Sequence, residues 1–515
     1  MLSNAIARVR GWLDQGLRRT RMRRLAWLAV IAPALLVAGT AQSAFLGGSV
    51  GPHLPPSIGP RAPTLGTVGP RLDPTFHNNP TGGSSAGTSS TGASSSSGTQ
   101  STQHETRNNR NTGRSGLPPA GELRFVPDEL VVALNGTPAG PQITAFLNRF
   151  RLSQLETRNI ALINTTFYRL RILDGTTVPA KIRALESAGA VRTVQPNYLF
   201  GLVQASGDAA TAGATPAQPA NAPEEQLGAS AEGGDAAQYA LGKLHLGQAH
   251  ALARGDKVLV AIVDSGIDTS HPALTGVVEK SFDALDSSEG PHSHGTAIAG
   301  IIAGHARLTG AAPAVRILAA RAFSATQGST VSIIASIDWA TSQGARVINM
   351  SFAGPSDPAL ERVLAAGHQK GVVLVAASGN AGPKSPPLWP AADPNVIAVT
   401  ATDYDDHLYA MANRGKHVAI AAPGVDILVA QPGDGYKIES GTSFSCAFVS
   451  GVAALVIERK PQLGPDAVKK VLLATAHDLG PKGRDDLFGA GLMDAFQAVS
   501  AVDKPTDAAL QVQVR

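Results

Sequence analysis

Three short stretches of this chain set an acid, a base and a hydroxyl where each could act on a carbonyl group. Asp264 closes the apolar run 258–263 and opens Asp-Ser-Gly-Ile-Asp, so its carboxylate would stand at the sheltered end of a strand, able to orient an imidazole. His294, in His-Ser-His-Gly-Thr-Ala-Ile-Ala-Gly, starts a helical pattern. An imidazole of ordinary pKa, about 6.5, takes up and returns a proton near neutrality. Ser443, in Gly-Thr-Ser-Phe-Ser-Cys-Ala-Phe-Val-Ser-Gly, opens an apolar helix whose amino end favours developing negative charge. Asn380 follows the strand-like Val-Val-Leu-Val-Ala-Ala, and its side-chain amide is the kind of donor an oxyanion needs. A base beside a hydroxyl nucleophile, with an amide for the developing charge, is the equipment of nucleophilic acyl transfer.

Taken singly, these residues have plainer readings. Asp264 suits a turn, Ser443 a helix N-cap and Asn380 a loop. His292 and His271 fit surface or capping roles. An Asp-Ser-Gly turn also occurs in sites where two carboxylates share a proton. No second Asp-Ser/Thr-Gly exists among the 515 residues, which removes that alternative.

The segment that must carry these residues alternates apolar strands with amphipathic helices. Strands are expected at 258–263, 315–320, 347–350, 372–376 and 396–400. Helices are expected at 296–303, 330–341, 358–370, 443–459, 465–474 and 491–501. Apolar strands alternating with helices imply an α/β fold, a doubly wound parallel sheet with helices on both faces. In such sheets chemistry collects at the carboxyl ends of the strands.

The order Asp, His, Ser on a parallel α/β scaffold is the subtilisin order. Val-Asp-Ser-Gly-Ile-Asp, His-Gly-Thr-x-x-Ala-Gly and Gly-Thr-Ser-x-x-x-x-x-Val-x-Gly resemble the subtilase signatures, and the resemblance spans about 238–502. It implies a subtilisin-like serine endopeptidase with Asp264, His294 and Ser443 as triad, and Asn380 with the Ser443 N–H as oxyanion donors. Ile-Asn-Met-Ser-Phe-Ala-Gly-Pro (348–355) is similar to the family's substrate-pairing strand, so Ser351, Phe352 and Ala353 would hydrogen-bond an extended peptide. The sequence departs from the family at Ala447, where proline is usual, at Ser445-Cys446, at Ala353 for glycine and at Ala297 for a second histidine. None of these removes a catalytic group. Cys446 reads as a buried small apolar residue, not a reactive thiol. The chain runs directly through Ala-Gly-His-Ala-Arg-Leu-Thr-Gly-Ala-Ala-Pro after the His294 helix, without the longer loop of calcium-binding relatives. No cofactor or metal is therefore expected, with weak structural calcium left open.

Upstream, 121–202 reads as a small α+β domain, with strands at 129–134, 165–172 and 191–200 and helices at 143–150 and 178–188. Before a subtilase domain this resembles the family's ferredoxin-like inhibitory propeptide, ending in Val-Gln-Pro-Asn-Tyr-Leu-Phe. Residues 203–237 read as a flexible Ala/Gly-rich linker and 503–515 as a tail. Residues 44–120 are Pro/Gly/Ser-rich and read as a disordered tether.

Five arginines at positions 18, 19, 21, 23 and 24 precede an uncharged apolar run and Ala41-Gln42-Ser43, which suits an export signal cleaved after Ser43. An uncleaved membrane anchor is the alternative. Either places the remainder outside the cytoplasm, secreted or periplasmic. Residues 1–120 hold twelve Arg, no Lys and three acidic residues, a net +9; with +4 overall, the rest of the chain is net −5. The basic balance thus sits outside the expected folded domains, which argues against a nucleic-acid partner. The expected partners are protein or peptide substrates and the chain's own propeptide. A single cysteine excludes an internal disulfide framework.

Overall fold

The computed structural model describes residues 115–136, 138–203, 235–287 and 289–502. The expected export segment, the tail and most of both expected linkers lie outside the described residues.

The first module runs β1 (Phe125–Leu134), α1 (Gly140–Phe150), β2 (Leu152–Ile160), β3 (Thr165–Ile172), α2 (Val178–Ser187) and β4 (Val191–Leu202). Its strands lie in the order β2-β3-β1-β4, all antiparallel, the β-α-β-β-α-β arrangement of ferredoxin-like domains. Alternation along β1 divides the module's two faces. Leu130, Val132 and Leu134 pack with Ile182 and Leu185 of α2, while Val131 and Ala133 face the second domain. Strand β2 was not expected. Its sequence, Leu-Ser-Gln-Leu-Glu-Thr-Arg-Asn-Ile, is polar because it forms the sheet's edge, where charge discourages further pairing. The start of the module also lies earlier than composition suggested. Gly116 N–H and Ser115 Oγ both donate to the Glu186 carboxylate, and Leu117 packs on the α2 side.

The second domain begins with α3 (Tyr239–Lys243) and α4 (Leu246–His250), and the preceding Asp235, expected in the linker, pairs with Arg307. There follow β5 (Leu259–Asp264), β6 (Val278–Asp283), α5 (Ser293–Ala303), β7 (Arg316–Arg321), β8 (Phe323–Ser324), β9 (Gln327–Ser329) and α6 (Thr330–Ser342). Next come β10 (Val347–Met350), β11 (Phe352–Ala353), α7 (Pro358–Gln369), β12 (Val373–Ala377), β13 (Val396–Thr402) and β14 (Val418–Pro423). The chain closes with β15 (Ile427–Ala430), β16 (Tyr436–Glu439), α8 (Thr442–Arg459), α9 (Pro465–Ala474) and α10 (Ala495–Ala501).

Seven strands form one parallel sheet in the order β14-β13-β12-β10-β5-β7-β6. Val260 and Ile262 face α5 and α8, while Ala261 and Val263 face α6 and α7. The sheet is buried on both sides, as the unbroken apolar runs of its central strands require. The two strands the sequence did not announce are the outermost. Val-Glu-Lys-Ser-Phe-Asp of β6 is largely solvent-facing, and β14 is alanine-rich. Helix α10 starts four residues later than expected because Asp494 caps it, accepting from Gln497 N–H.

The module docks its open sheet face on α6 and α7. Ile160, Phe167 and Tyr198 share one apolar cluster with Ile334, Leu360 and Leu364. Each fully buried side chain of that size contributes about 1.5–3 kcal/mol to burial. Polar locks fix the register. Gln195 Nε2 donates to Asp357 Oδ1 at 2.7 Å, and Ala359 N–H donates to Gln195 Oε1 at 2.9 Å. Tyr198 N–H donates to Thr330 Oγ1 at 3.0 Å, and Leu162 N–H to Asp338 at 2.7 Å. Asp357 caps α7 and Thr330 opens α6, so β4 is tied to the amino ends of both helices.

Candidate active site

Strands β12, β10 and β5 are neighbours in the sheet, and the loops at their carboxyl ends deliver Asn380, Ser351 and Asp264 to one edge. Asp264 ends β5 and is fully buried. Its Oδ1 accepts from Ser265 N–H at 2.7 Å and from Ser265 Oγ at 3.1 Å. His294 Nδ1 lies 2.8 Å from Oδ1 and 3.0 Å from Oδ2. A carboxylate oxygen accepts, so Nδ1 is the nitrogen that carries the hydrogen of this pair, and Nε2 is the one left to accept a proton. That Nε2 is buried and has no hydrogen-bond partner among the described residues.

Ser443 stands in the first turn of α8, whose leading N–H groups have no carbonyl four residues back. The helix is apolar on every side because it is the buried core of the domain. Ser443 Oγ donates at 2.8 Å to the carbonyl oxygen of Val203, the residue after β4. The structure thus joins Asp264 to His294 directly, while the Ser443 hydroxyl is engaged by Val203 instead of by His294.

Asn380 is turned by its neighbour Thr442. Its Oδ1 accepts from Thr442 N–H at 3.1 Å and from Thr442 Oγ1 at 2.9 Å. The backbone donor fixes which end of the amide is oxygen, so Nδ2 points the other way. Nδ2 is buried without a partner among the described residues. A Cβ added at Gly441 would stand 3.0 Å from Asn380 Nδ2 and 3.3 Å from both Ser443 Oγ and Val203 O. The Ser443 hydroxyl, the Asn380 amide and the Val203 carbonyl therefore crowd one small niche, which a side chain at residue 441 would tighten.

The strand expected to pair substrate lies here against residues of this same chain. Val203 N–H donates to Ser351 O at 3.1 Å, and Phe352 and Ala353 register antiparallel with Leu202 and Gly201. The opposite wall was missed. In β9, Gln327, Gly328 and Ser329 pair antiparallel with Gly201, Phe200 and Leu199, and Leu202 N–H donates to Thr326 O at 3.0 Å. Thr-Gln-Gly-Ser has no apolar alternation, and a short Gly-containing stretch between a strand and a helix reads as a turn. Phe200 lies edge-on to Phe352, centroids 5.9 Å apart, and Phe323 lies 5.1 Å beyond that ring.

Beside Ser443, Asn349 Nδ2 donates to Ser351 Oγ at 2.9 Å, and Ser351 Oγ donates to Ser443 O at 3.1 Å. Cys446 Sγ donates to Asn349 Oδ1 at 3.2 Å, and burial pushes its thiol up to about 12. Among the described residues, no group of three or more His, Cys, Asp and Glu side chains could hold a metal ion.

A model of the Subtilase family matches residues 255–491. Subtilisin DY of Bacillus licheniformis is 34% identical over 254 residues, covering 48% of this chain and 92% of that protein. Thermitase of Thermoactinomyces vulgaris is 34% identical over 271 residues, covering 51% of this chain and 95% of that protein. The thermophilic serine proteinase of Bacillus sp. strain AK1 is 34% identical over 342 residues, 64% of this chain and 78% of that protein. Among solved structures, fervidolysin from Fervidobacterium pennivorans, a keratinolytic enzyme related to subtilisin, has the same fold. Its TM-score is 0.62 at 24% identity, covering 74% of this chain and 62% of that one. The chain belongs to the subtilase family and is a subtilisin-like serine endopeptidase.

Proposed function

We propose that this chain is the precursor of an exported endopeptidase with Asp264, His294 and Ser443 as its triad, held inactive by its own residues 115–203. One observation carries the reading. The segment Phe200–Val203 lies between β9 and β11 as an extended peptide, and its last carbonyl meets the Ser443 hydroxyl. The first bond to be cut is then Val203–Gln204.

Ser443 Oγ attacks the Val203 carbonyl carbon while its proton passes to His294 Nε2. Asp264 stabilises the imidazolium through Nδ1–H. Asn380 Nδ2 and the Ser443 N–H hold the oxyanion. His294 then gives its proton to the Gln204 nitrogen, the C–N bond breaks, and water releases Val203 from the serine. The same cleft takes extended protein or peptide substrates with a small apolar residue at the cut and an aromatic three residues before it, as Val203 and Phe200 exemplify.

Export rests on the arginine-rich start and the apolar run after it. Cleavage after Ser43 gives a free product, and an uncleaved segment gives a membrane tether. Hydrolysis of casein by the wild-type chain and by Ser443→Ala, His294→Ala and Asp264→Asn tests the assignment. Each substitution should reduce turnover by about 10⁴-fold or more. Wild-type turnover in any of them removes that residue from the triad.

A further inference from the structure

We infer that His292 is a positioning residue of the triad, and that its neutral imidazole is part of the working site. The inference rests on the triad assignment above. His292 stands immediately before α5, and its backbone clamps two segments: its N–H donates to Gly266 O at 2.8 Å, and its carbonyl accepts from Thr296 Oγ1 at 2.8 Å. Its Nδ1 accepts the N–H of His294 at 3.3 Å and lies 3.1 Å from Ser265 Oγ. Ser265 Oγ is in turn 3.1 Å from Asp264 Oδ1 and accepts the Gly295 N–H at 3.1 Å. One imidazole nitrogen therefore faces the backbone of the base, and the Ser265 hydroxyl beside it has a single hydrogen to give either to that nitrogen or to Asp264 Oδ1.

A backbone N–H can only donate, so Nδ1 of His292 must be unprotonated to receive it. Protonation would turn that acceptor into a donor facing a donor. It would also place a positive charge at the amino end of α5, against the helix dipole. The charged groups facing the ring come from every neighbouring element: Asp264 at the end of β5, His294 on α5, Arg321 at the end of β7 and Glu289 in the loop before α5. Glu289 is itself paired with Arg321 at 2.6 Å. Burial is the largest influence and holds His292 below the usual histidine range, as do His294 and Arg321, while Asp264 and Glu289 oppose it. Two separate protonations in acid then stop the enzyme: one on His294 removes the base, and one on His292 withdraws the acceptor that sets it.

The test is the acid limb of kcat/KM, measured on a peptide substrate with the processed wild-type enzyme and with His292→Asn and His292→Ala. Asparagine can accept the His294 N–H as an N-cap but does not titrate. The wild-type limb should be steeper than one proton, and His292→Asn should reduce its slope to one. His292→Ala should lower kcat about tenfold or more across the pH range with little change in KM. An acid limb of His292→Asn superimposable on wild type overturns the inference, whether or not His292→Ala folds. Ser443→Ala, assayed alongside, separates the two levels: its activity would overturn the triad, whereas its inactivity with an unchanged His292→Asn profile overturns only the role of His292.

Discussion

The hydroxyl of Ser443 donates to the carbonyl oxygen of Val203, 240 residues earlier in the chain, at 2.8 Å. On the proposed reading, the surroundings of that bond are those of a peptide about to be cut. Ser351 O receives the Val203 N–H, β9 and β11 flank the residues before it, and Asn380 Nδ2 has no partner among the described residues. A propeptide reading accounts for all four at once.

Asn380→Ala should leave the fold intact, because among the described residues the side chain bonds only Thr442. The expected result is a fall in kcat of about 10²–10³, the range carried over from subtilisin, with KM little changed. Steady-state kinetics on a peptide substrate checks this; a loss confined to KM would remove Asn380 from the oxyanion site.

Gly354→Ala should change selectivity. A Cβ at position 354 would overlap the Phe200 ring, so the glycine makes room for an aromatic residue there. Peptides with Phe three residues before the cut should lose about tenfold or more in kcat/KM relative to those with Ala there, since overpacking costs about 1–3 kcal/mol. Equal loss on both peptides would show that Phe200 does not mark a specificity pocket.

Gln195→Ala should hasten activation. It removes two buried hydrogen bonds to the start of α7, one of them to the Asp357 carboxylate, each worth about 1–3 kcal/mol. After self-cleavage the fragment should leave roughly tenfold sooner or faster, seen as a shorter lag before peptide hydrolysis. An unchanged lag would mean that these bonds do not hold the module on the cleft.

Much of this site was legible from residue types because its chemistry is local to single motifs. Asp264, His294, Ser443 and Asn380 each sit at a strand end or helix start that the apolar periodicity marks. What escaped was pairing and edges. Gln327–Ser329 bind the Phe200–Gly201 segment through their backbone, so their side chains carry no sign of the task. Strands β2 and β6 are polar because they lie at sheet edges, and β14 hides in alanine. His292 resembled a surface or capping histidine. Capping is what it does, but the 3.1 Å approach of its Nδ1 to Ser265 Oγ brings together residues 27 positions apart.

Stability should fall in mild acid. Burial is the main cause that holds His417 below the usual histidine range, with Arg484 adding to it and Asp486 opposing it. Among the described residues, neither of its ring nitrogens has a partner. As pH drops below the unfolded value of about 6.5, the unfolded chain takes up a proton that the folded one resists, so stability is lost from there downward. In a Ser443→Ala background, to prevent self-digestion, urea midpoints should fall between pH 7.5 and 5.5. His417→Leu should flatten that fall; an identical slope would contradict the assignment.

The most direct measurement is the mass of the first products of the purified full chain, wild type beside Ser443→Ala. A self-processing precursor should break between Val203 and Gln204, giving a fragment ending in Val203 and a partner beginning with Gln204, while Ser443→Ala remains whole. Cleavage of the Ser443→Ala chain at that same bond, or a wild-type chain that is active with Val203–Gln204 intact, would contradict the account.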